Sequence, residues 1–412
     1  MSNRNGAVKQ RTRCACIGPL ASHISGFVAY LRQESYAPET VRAKRRLIVD
    51  ISQWMRRLEL PLVKLDEEQL REFQINRRRR HRLRSGDILT VHQLLQYLRD
   101  LGCIRMPREK TDRTSLGRMV RDFERYLSLE CGLSQSTQVD YLRIVQCFLA
   151  DCFGTKSPRL TALTQRDIHC FIITHQKDGG HSRVKKLITA LRSFLHYLHQ
   201  SKAIAIDLAA LVPRVANWRL SHLPRSLPTN QVRQLLASCN RSTPSGQRDY
   251  AILLLMSRLG LRAREVVNMT LDDLDWVCGE LIVHGKGQQE DRLPLPPEVG
   301  AALVNYLRHA RPVCSTRRVF IRMKAPRQGL KGSEAICRIV RAALKRADLN
   351  LQFKGSHVLR HSLATNLLRR GATLMEIGQL LRHRGLATTQ IYAKVDIAAL
   401  RAIALPWPRG AL

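Results

Sequence analysis

The chain repeats itself, and that repeat limits its fold more than any other feature. Phe27-x-x-Tyr30-Leu31-x-x-Glu34 recurs as Phe123-x-x-Tyr126-Leu127-x-x-Glu130. A threonine that could lead a helix follows each, at Thr40 and Thr137. Residues 65–73 are echoed by 163–171, and Leu94 to Leu98 with Ile104 by Phe194 to Leu198 with Ile204. The offset drifts only from 96 to 100 residues. Leucine and tyrosine share such spacing in unrelated helices too, so it is the ordered series, not any single match, that favours a duplication. Tyr141, Leu142, Val145, Phe148 and Leu149 recur at i, i+3, i+4, as do Leu187, Leu191, Phe194, Leu195 and Leu198. That period predicts amphipathic helices, about four per copy, each copy closing on its own core.

The rest of the organisation follows from where this period stops. Residues 1–18 read as a basic tail, 19–104 as the first helical module and 118–211 as the second. Residues 105–117 form a short linker, and 212–228 form a longer one with Pro213, Pro224 and Pro228. From Thr229, expected to cap a helix, the pattern becomes mixed. Residues 249–259 predict a buried helix ended by Gly260. Residues 280–284 and 292–295 predict strands around Gly285-Lys286-Gly287, and 318–321 a further strand. Asp272, Asp273 and Asp275 read as a turn. Pro297, Ser333 and Ser356 suit helix starts. Thr373 and Glu376 form a capping box for a helix expected to close at Gly385. The expected fold is mainly α with a small antiparallel sheet in a catalytic domain at 229–395, followed by a C-terminal segment at 396–412.

Charge narrows the partner. Of 412 residues, 69 are Lys or Arg and 33 Asp or Glu, a formal net charge of +36. The excess is spread: +11 over 1–112, +8 over 113–224 and +17 over 225–412. No basic tail accounts for it, and every segment could face a phosphate backbone, so double-stranded DNA is the expected partner. The run Arg77 to Arg80 is expected between helices, as either a solvated loop or a phosphate contact. The 11 cysteines are scattered and odd in number, which reads as reduced thiols and a cytoplasmic protein. Cys14, Cys16 and His23 make an incomplete metal set, and neither a metal nor a cofactor is expected. No apolar run approaches the ~18 residues of a membrane span.

Four local features carry chemistry. Arg262 follows the buried helix and has Glu265 three residues on, so an ion pair could hold it rigidly. Lys286 sits at a hairpin tip. His357 and Arg360 share one face near a helix start and can converge on an anion. His383 precedes Tyr392 by a few residues. In order and spacing, Arg262, Lys286, His357-x-x-Arg360, His383 and Tyr392 resemble the catalytic signature of the tyrosine recombinase (phage integrase) family. The stretches 260–276, 283–296, 356–372 and 380–395 carry the resemblance, which covers roughly 227–395. It extends more loosely over 118–210, similar to the family's helical, SAM-like core-binding domain. Arg382 departs from the pattern, since many members have glycine there. Residues 19–104 are extra, and the repeat would make them a second core-binding-like module.

The resemblance implies attack of Tyr392 on a backbone phosphate, leaving a 3′-phosphotyrosine and a free 5′-hydroxyl. A phenol has an ordinary pKa near ~10 and needs activation. Arg262 and Arg360 would bind the non-bridging oxygens, as guanidinium forks suit. Lys286 would be the general acid, His357 the proton acceptor from Tyr392, and His383 a phosphate hydrogen-bond donor. Glu265 reads as a structural partner. The family assembles as tetramers on paired recombination sites, so a homo- or hetero-tetramer, with other recombinases as possible partners, is expected, and residues 396–403 would dock on a neighbour or on their own domain. The implied role is integration or movement of a mobile element. The alternatives are a catalytically silent DNA-binding accessory recombinase and a type IB topoisomerase.

Overall fold

A computed structural model of the protein describes residues 17–78, 85–106, 114–154, 159–176, 181–213, 226–285, 290–351, 355–383 and 385–395. The chain divides into two compact units, one of residues 105–219 and one of residues 1–104 with 220–412. Among the described residues, no helix is long and apolar enough to cross a membrane.

The first module holds α1 (Ala21–Gln33), α2 (Pro38–Arg57), α3 (Glu67–Arg78) and α4 (Ser85–Asp100), with a 3-10 turn at Leu62–Lys64. The second holds α5 (Ser115–Leu129), α6 (Gln135–Phe153), α7 (Gln165–Gln176) and α8 (His181–Gln200), with a 3-10 turn at Leu160–Ala162. The two run through the same elements in the same order. Their cores match in detail. Phe27 meets Tyr97 at 5.3 Å between ring centroids and Tyr30 meets Tyr97 at 5.6 Å. Phe123 meets Tyr197 at 5.4 Å and Tyr126 meets Tyr197 at 5.3 Å. The last helix of each module ends alike. Gly102 and Lys202 both take positive φ, and the next N–H, of Cys103 or Ala203, donates to the Leu98 or Leu198 carbonyl at 2.9 Å. A left-handed residue closes a helix this way by satisfying its last carbonyls.

The second helices begin two residues before the expected threonines, because Pro38 suits a first turn and Ser134 takes the N-cap position. The arginine run is not wholly between helices. Arg77 and Arg78 close α3, and Arg77 pairs with Asp50 of α2. Residues 79–84 lie outside the described residues, as does the tail to residue 16 with Cys14 and Cys16.

The third region comprises α9 (Thr229–Ala237), α10 (Pro244–Arg258), α11 (Ala263–Asn268), α12 (Pro297–Asn305), α13 (Gly332–Arg346), α14 (His357–Arg369), α15 (Leu374–Leu380) and α16 (Leu386–Thr389). One antiparallel sheet holds β1 (Leu274–Asp275), β2 (Glu280–His284) and β3 (Glu290–Pro294), in that order. α10 is the axis of the core. Ala251 through Met256 are all buried, which is why its sequence reads as a continuous apolar run. Pro297 starts α12 as expected, while α10 begins at Pro244, five residues before the expected start at 249. Thr229 does not cap α9. It lies inside the helix and its hydroxyl donates to Asn366 on α14. Residues 318–321 form no strand but two isolated bridges, Thr270 to Arg318 and Ile321 to Gly329. Asp275, expected in a turn, lies in β1, while Asp273 caps the preceding 3-10 turn by accepting from Thr270 N–H at 2.7 Å. Residues 396–412, including the segment expected to dock, lie outside the described residues.

Candidate active site

The site is built on the loops between α10 and α11 and between α15 and α16, with α14 beneath both. Gly260 turns the chain out of α10 at φ +60. A Cβ there would crowd the ends of the Leu381 and Leu363 side chains, at 2.6 Å and 3.2 Å, and the left-handed backbone itself favours glycine. Arg262 then takes the N-cap position of α11. Its N–H donates to Glu265 Oε2 at 2.8 Å and its Nη1 to Oε1 at 2.7 Å. This is the ion pair expected from the sequence. Burial pushes the Glu265 carboxyl up, but Arg382 and Arg262 outweigh it and hold its pKa below the ordinary value.

Arg360 is 4% exposed. Its guanidinium donates to the carbonyls of Gly260 and Leu381 and so ties both loops to α14. Burial, then Arg262 and Arg382, lower its pKa to about 10. Arg382 has φ +53, the left-handed conformation that glycine adopts without strain. Its side chain is 6% exposed, its Nη2 pairs with Glu265 at 2.8 Å, and its Nε lies 3.9 Å from Asp291 on β3. Its carbonyl accepts from Arg262 Nη2 at 3.3 Å. The helix expected to reach Gly385 stops at Leu380, because this left-handed residue ends it. The Thr373–Glu376 capping box that opens it is present.

His383 is held by a 2.8 Å hydrogen bond between Nδ1 and Thr389 Oγ1. Burial, followed by Arg360 and Arg262, depresses its pKa to about 4. His357 begins α14 with an exposed ring. Partial desolvation, then the charges of Arg360 and Arg262, lower its pKa. Lys286 lies outside the described residues, but the strands on either side of it are paired, with His284 opposite Glu290. His284 also reaches the buried Asp273 at 2.9 Å.

Tyr392 is 1% exposed and packs with Ala364, Ile377 and Leu381. Burial pushes its pKa up to about 12 against the opposing pull of Arg360. The hydrogen-bond partner of its hydroxyl is His361, with Nδ1 at 2.8 Å. Sequence reasoning missed His361. It follows Arg360 directly and lies one turn beyond His357, their ring centroids 6.3 Å apart. That i, i+4 pairing was the signal available. Burial, then His357 and Arg360, lower the His361 pKa to about 4, so its ring is neutral at pH 7.

Of the six residues expected in the site, the structure brings Arg262, His357, His383 and Tyr392 within electrostatic reach of Arg360. Two cationic forks, neutral imidazoles and a phenol suit an anion that is attacked by the phenol oxygen. The chain thus combines helical modules with a mixed domain that carries this cluster.

Comparisons with known proteins agree. The Phage integrase family model matches residues 225–398, and the model for the phage integrase N-terminal SAM-like domain matches residues 120–202. "Putative integrase/recombinase y4rA" of Sinorhizobium fredii is 41% identical over 392 residues, 95% of each chain. Tyrosine recombinase XerD of Listeria innocua is 33% identical over 290 residues, covering 69% of this chain and 96% of XerD. The chain belongs to the phage integrase family of tyrosine recombinases. Solved structures show the same fold. XerH recombinase bound to palindromic difH substrate aligns with TM-score 0.54 at 19% identity, over 69% of this chain and 83% of that one. A lambda integrase dimer bound to a COC′ core site aligns with TM-score 0.52 at 17% identity, over 67% and 94%.

Proposed function

We propose that the protein is a site-specific DNA strand transferase that cuts and rejoins duplex DNA through Tyr392. The observation that carries this reading is the gathering of Arg262, His383 and Tyr392 around the buried guanidinium of Arg360. In the forward step the Tyr392 Oη–phosphorus bond forms and the bond to the 5′-oxygen breaks. Arg262 and Arg360 hold the non-bridging oxygens, where negative charge grows in the transition state. His383 donates a hydrogen bond to the same phosphate. Lys286 supplies the proton to the leaving 5′-oxygen. The phenol proton passes to a neutral imidazole, His357 or the adjacent His361 that holds the hydroxyl at rest. A 5′-hydroxyl reverses these steps, and the phosphotyrosyl bond conserves the energy for rejoining.

The net charge of +36 supports a duplex partner. The likeness to integrases and to recombinases solved on DNA supports a role in moving or integrating a mobile element, on paired sites bridged by a tetramer of this chain or of this chain with related recombinases. A duplex carrying a recombination site and nicked next to the cleavage position tests the chemistry. Wild-type protein should be trapped covalently and Tyr392→Phe should not. No adduct with wild type, or an adduct that persists in Tyr392→Phe, overturns the reading.

A further inference from the structure

The two helical modules share a core but not a charge pattern. In the second module α6 carries one basic residue, Arg143, while α8 carries Arg183, Lys185, Lys186 and Arg192. In the first module the arrangement is reversed. α4 carries Arg99 with Asp87 and Asp100, whereas α2 carries Arg42, Lys44, Arg45, Arg46, Arg56 and Arg57. The apolar skeleton has been kept and the polar faces differ.

The α2 charges are ordered. At ~100° per residue, Arg42, Arg45, Arg46, Arg56 and Arg57 fall within an arc of about 120°. All five are exposed. Lys44 is on the other side. It is buried, donates to Thr90 Oγ1 at 3.0 Å and Gln93 Oε1 at 2.6 Å, and belongs to the core. The carboxylate at the edge of the arc, Asp50, is taken up by Arg77 of α3. From Arg42 to Arg57 the stripe spans about 22 Å, at ~1.5 Å per residue. Duplex DNA presents one phosphate charge per ~1.7 Å of axis, so a stripe of this length matches the phosphates of about six base pairs. Exposed Glu39 falls within the same arc, so five arginines stand against one acid on this face, a balance that fits a polyphosphate ligand better than plain solvation.

We propose that residues 19–104 form a second duplex-binding module, and that its phosphate contacts come from the exposed arginine face of α2 rather than from α4. This assignment is independent of Tyr392 and of the strand-transfer chemistry. The contacts are to backbone, so they add affinity and footprint without adding sequence preference.

The test uses the full chain and a random-sequence duplex of about 60 base pairs, long enough to engage several phosphate-binding faces. Binding is titrated over a range of salt, and melting curves verify the fold. Each phosphate contact contributes ~0.9 to the slope of log affinity against log salt. The triple variant Arg42→Glu, Arg46→Glu, Arg57→Glu should lose about 3 from that slope. The matching triple Arg→Lys variant should keep it. An unchanged slope in the glutamate variant overturns the proposal and points to a protein partner for this face. Equal loss in the lysine variant also overturns it, because charge is retained there.

Discussion

The Tyr392 hydroxyl and His361 Nδ1 stand 2.8 Å apart, and Tyr392, the proposed nucleophile, is 1% exposed. A phosphate cannot reach an oxygen so covered until the 386–395 segment shifts. His361, one turn after His357 on α14, therefore holds the hydroxyl in its resting place. Removing the imidazole leaves a buried phenol without its partner, at a cost of about 1–3 kcal/mol. Hydrogen exchange over residues 386–395 should be faster in His361→Ala than in wild type. The same exchange rate in both proteins would show that the bond does not hold the segment.

Arg382 stands where many relatives have glycine, and two effects oppose each other there. Arg382→Gly relieves a left-handed non-glycine backbone, worth ~1–2 kcal/mol. It also strips the nearly buried Glu265 of one of its two guanidinium partners, which costs several kcal/mol for a carboxylate left in a dry site. The second effect should win, and net urea stability should fall by about 1–3 kcal/mol. The variant should also become less sensitive to acid, because it starts lower and has less of this contribution to lose. Glu265 has a depressed pKa when folded, so its contribution is present above its unfolded pKa and is lost as pH falls through the folded one. With Arg382 gone the folded pKa rises toward the unfolded one, so the acid-dependent loss shrinks and the gap to wild type narrows as pH falls. A variant as stable as wild type at pH 7 and pH 4 would remove Arg382 from this role.

Much of this was legible in the sequence because it is local. Phe27–Tyr30, Phe123–Tyr126, Arg262–Glu265 and Thr373–Glu376 are all pairs three residues apart. What was not legible depends on contacts far along the chain. His361 adjoins the leucines of α14 and reads as packing until Tyr392 is placed beside it. The left-handed turn at Arg382 has no sequence signal, since the usual glycine is absent. β1 is two residues long and owes its pairing to β2 across the turn at Gly279. Thr229 resembles a cap, but its hydroxyl turns to Asn366 of α14, 137 residues away.

Two imidazoles make stability depend on pH. His361 and His383 have folded pKa values of about 4, against ~6.5 in an unfolded chain. Below pH ~6.5 the unfolded chain binds protons that the folded protein does not, so stability falls as pH drops from there toward 4, and this contribution is then exhausted. The melting temperature should decline across that window. In a His361→Phe, His383→Gln double variant the decline should be shallower, whatever its absolute stability. An equal slope would mean that other groups, such as Glu265, set the acid response.

Arg360 joins stability to chemistry. Its buried guanidinium donates to the carbonyls of Gly260 and Leu381, and its charge acts on the Tyr392 hydroxyl. Lysine keeps the charge but not the fork, and it cannot satisfy two carbonyls that lie on different loops. Arg360→Lys should therefore lose about 1–3 kcal/mol of stability through an unsatisfied buried carbonyl. It should also slow covalent trapping on a nicked duplex by roughly 10²–10³-fold, the usual effect of losing one preorganised donor to a developing oxyanion. Tyr392→Phe separates the two effects, because it removes the adduct while both carbonyl bonds to Arg360 stay in place. If Arg360→Lys lost trapping yet melted with wild type, the two loops would have to be held by something other than this arginine.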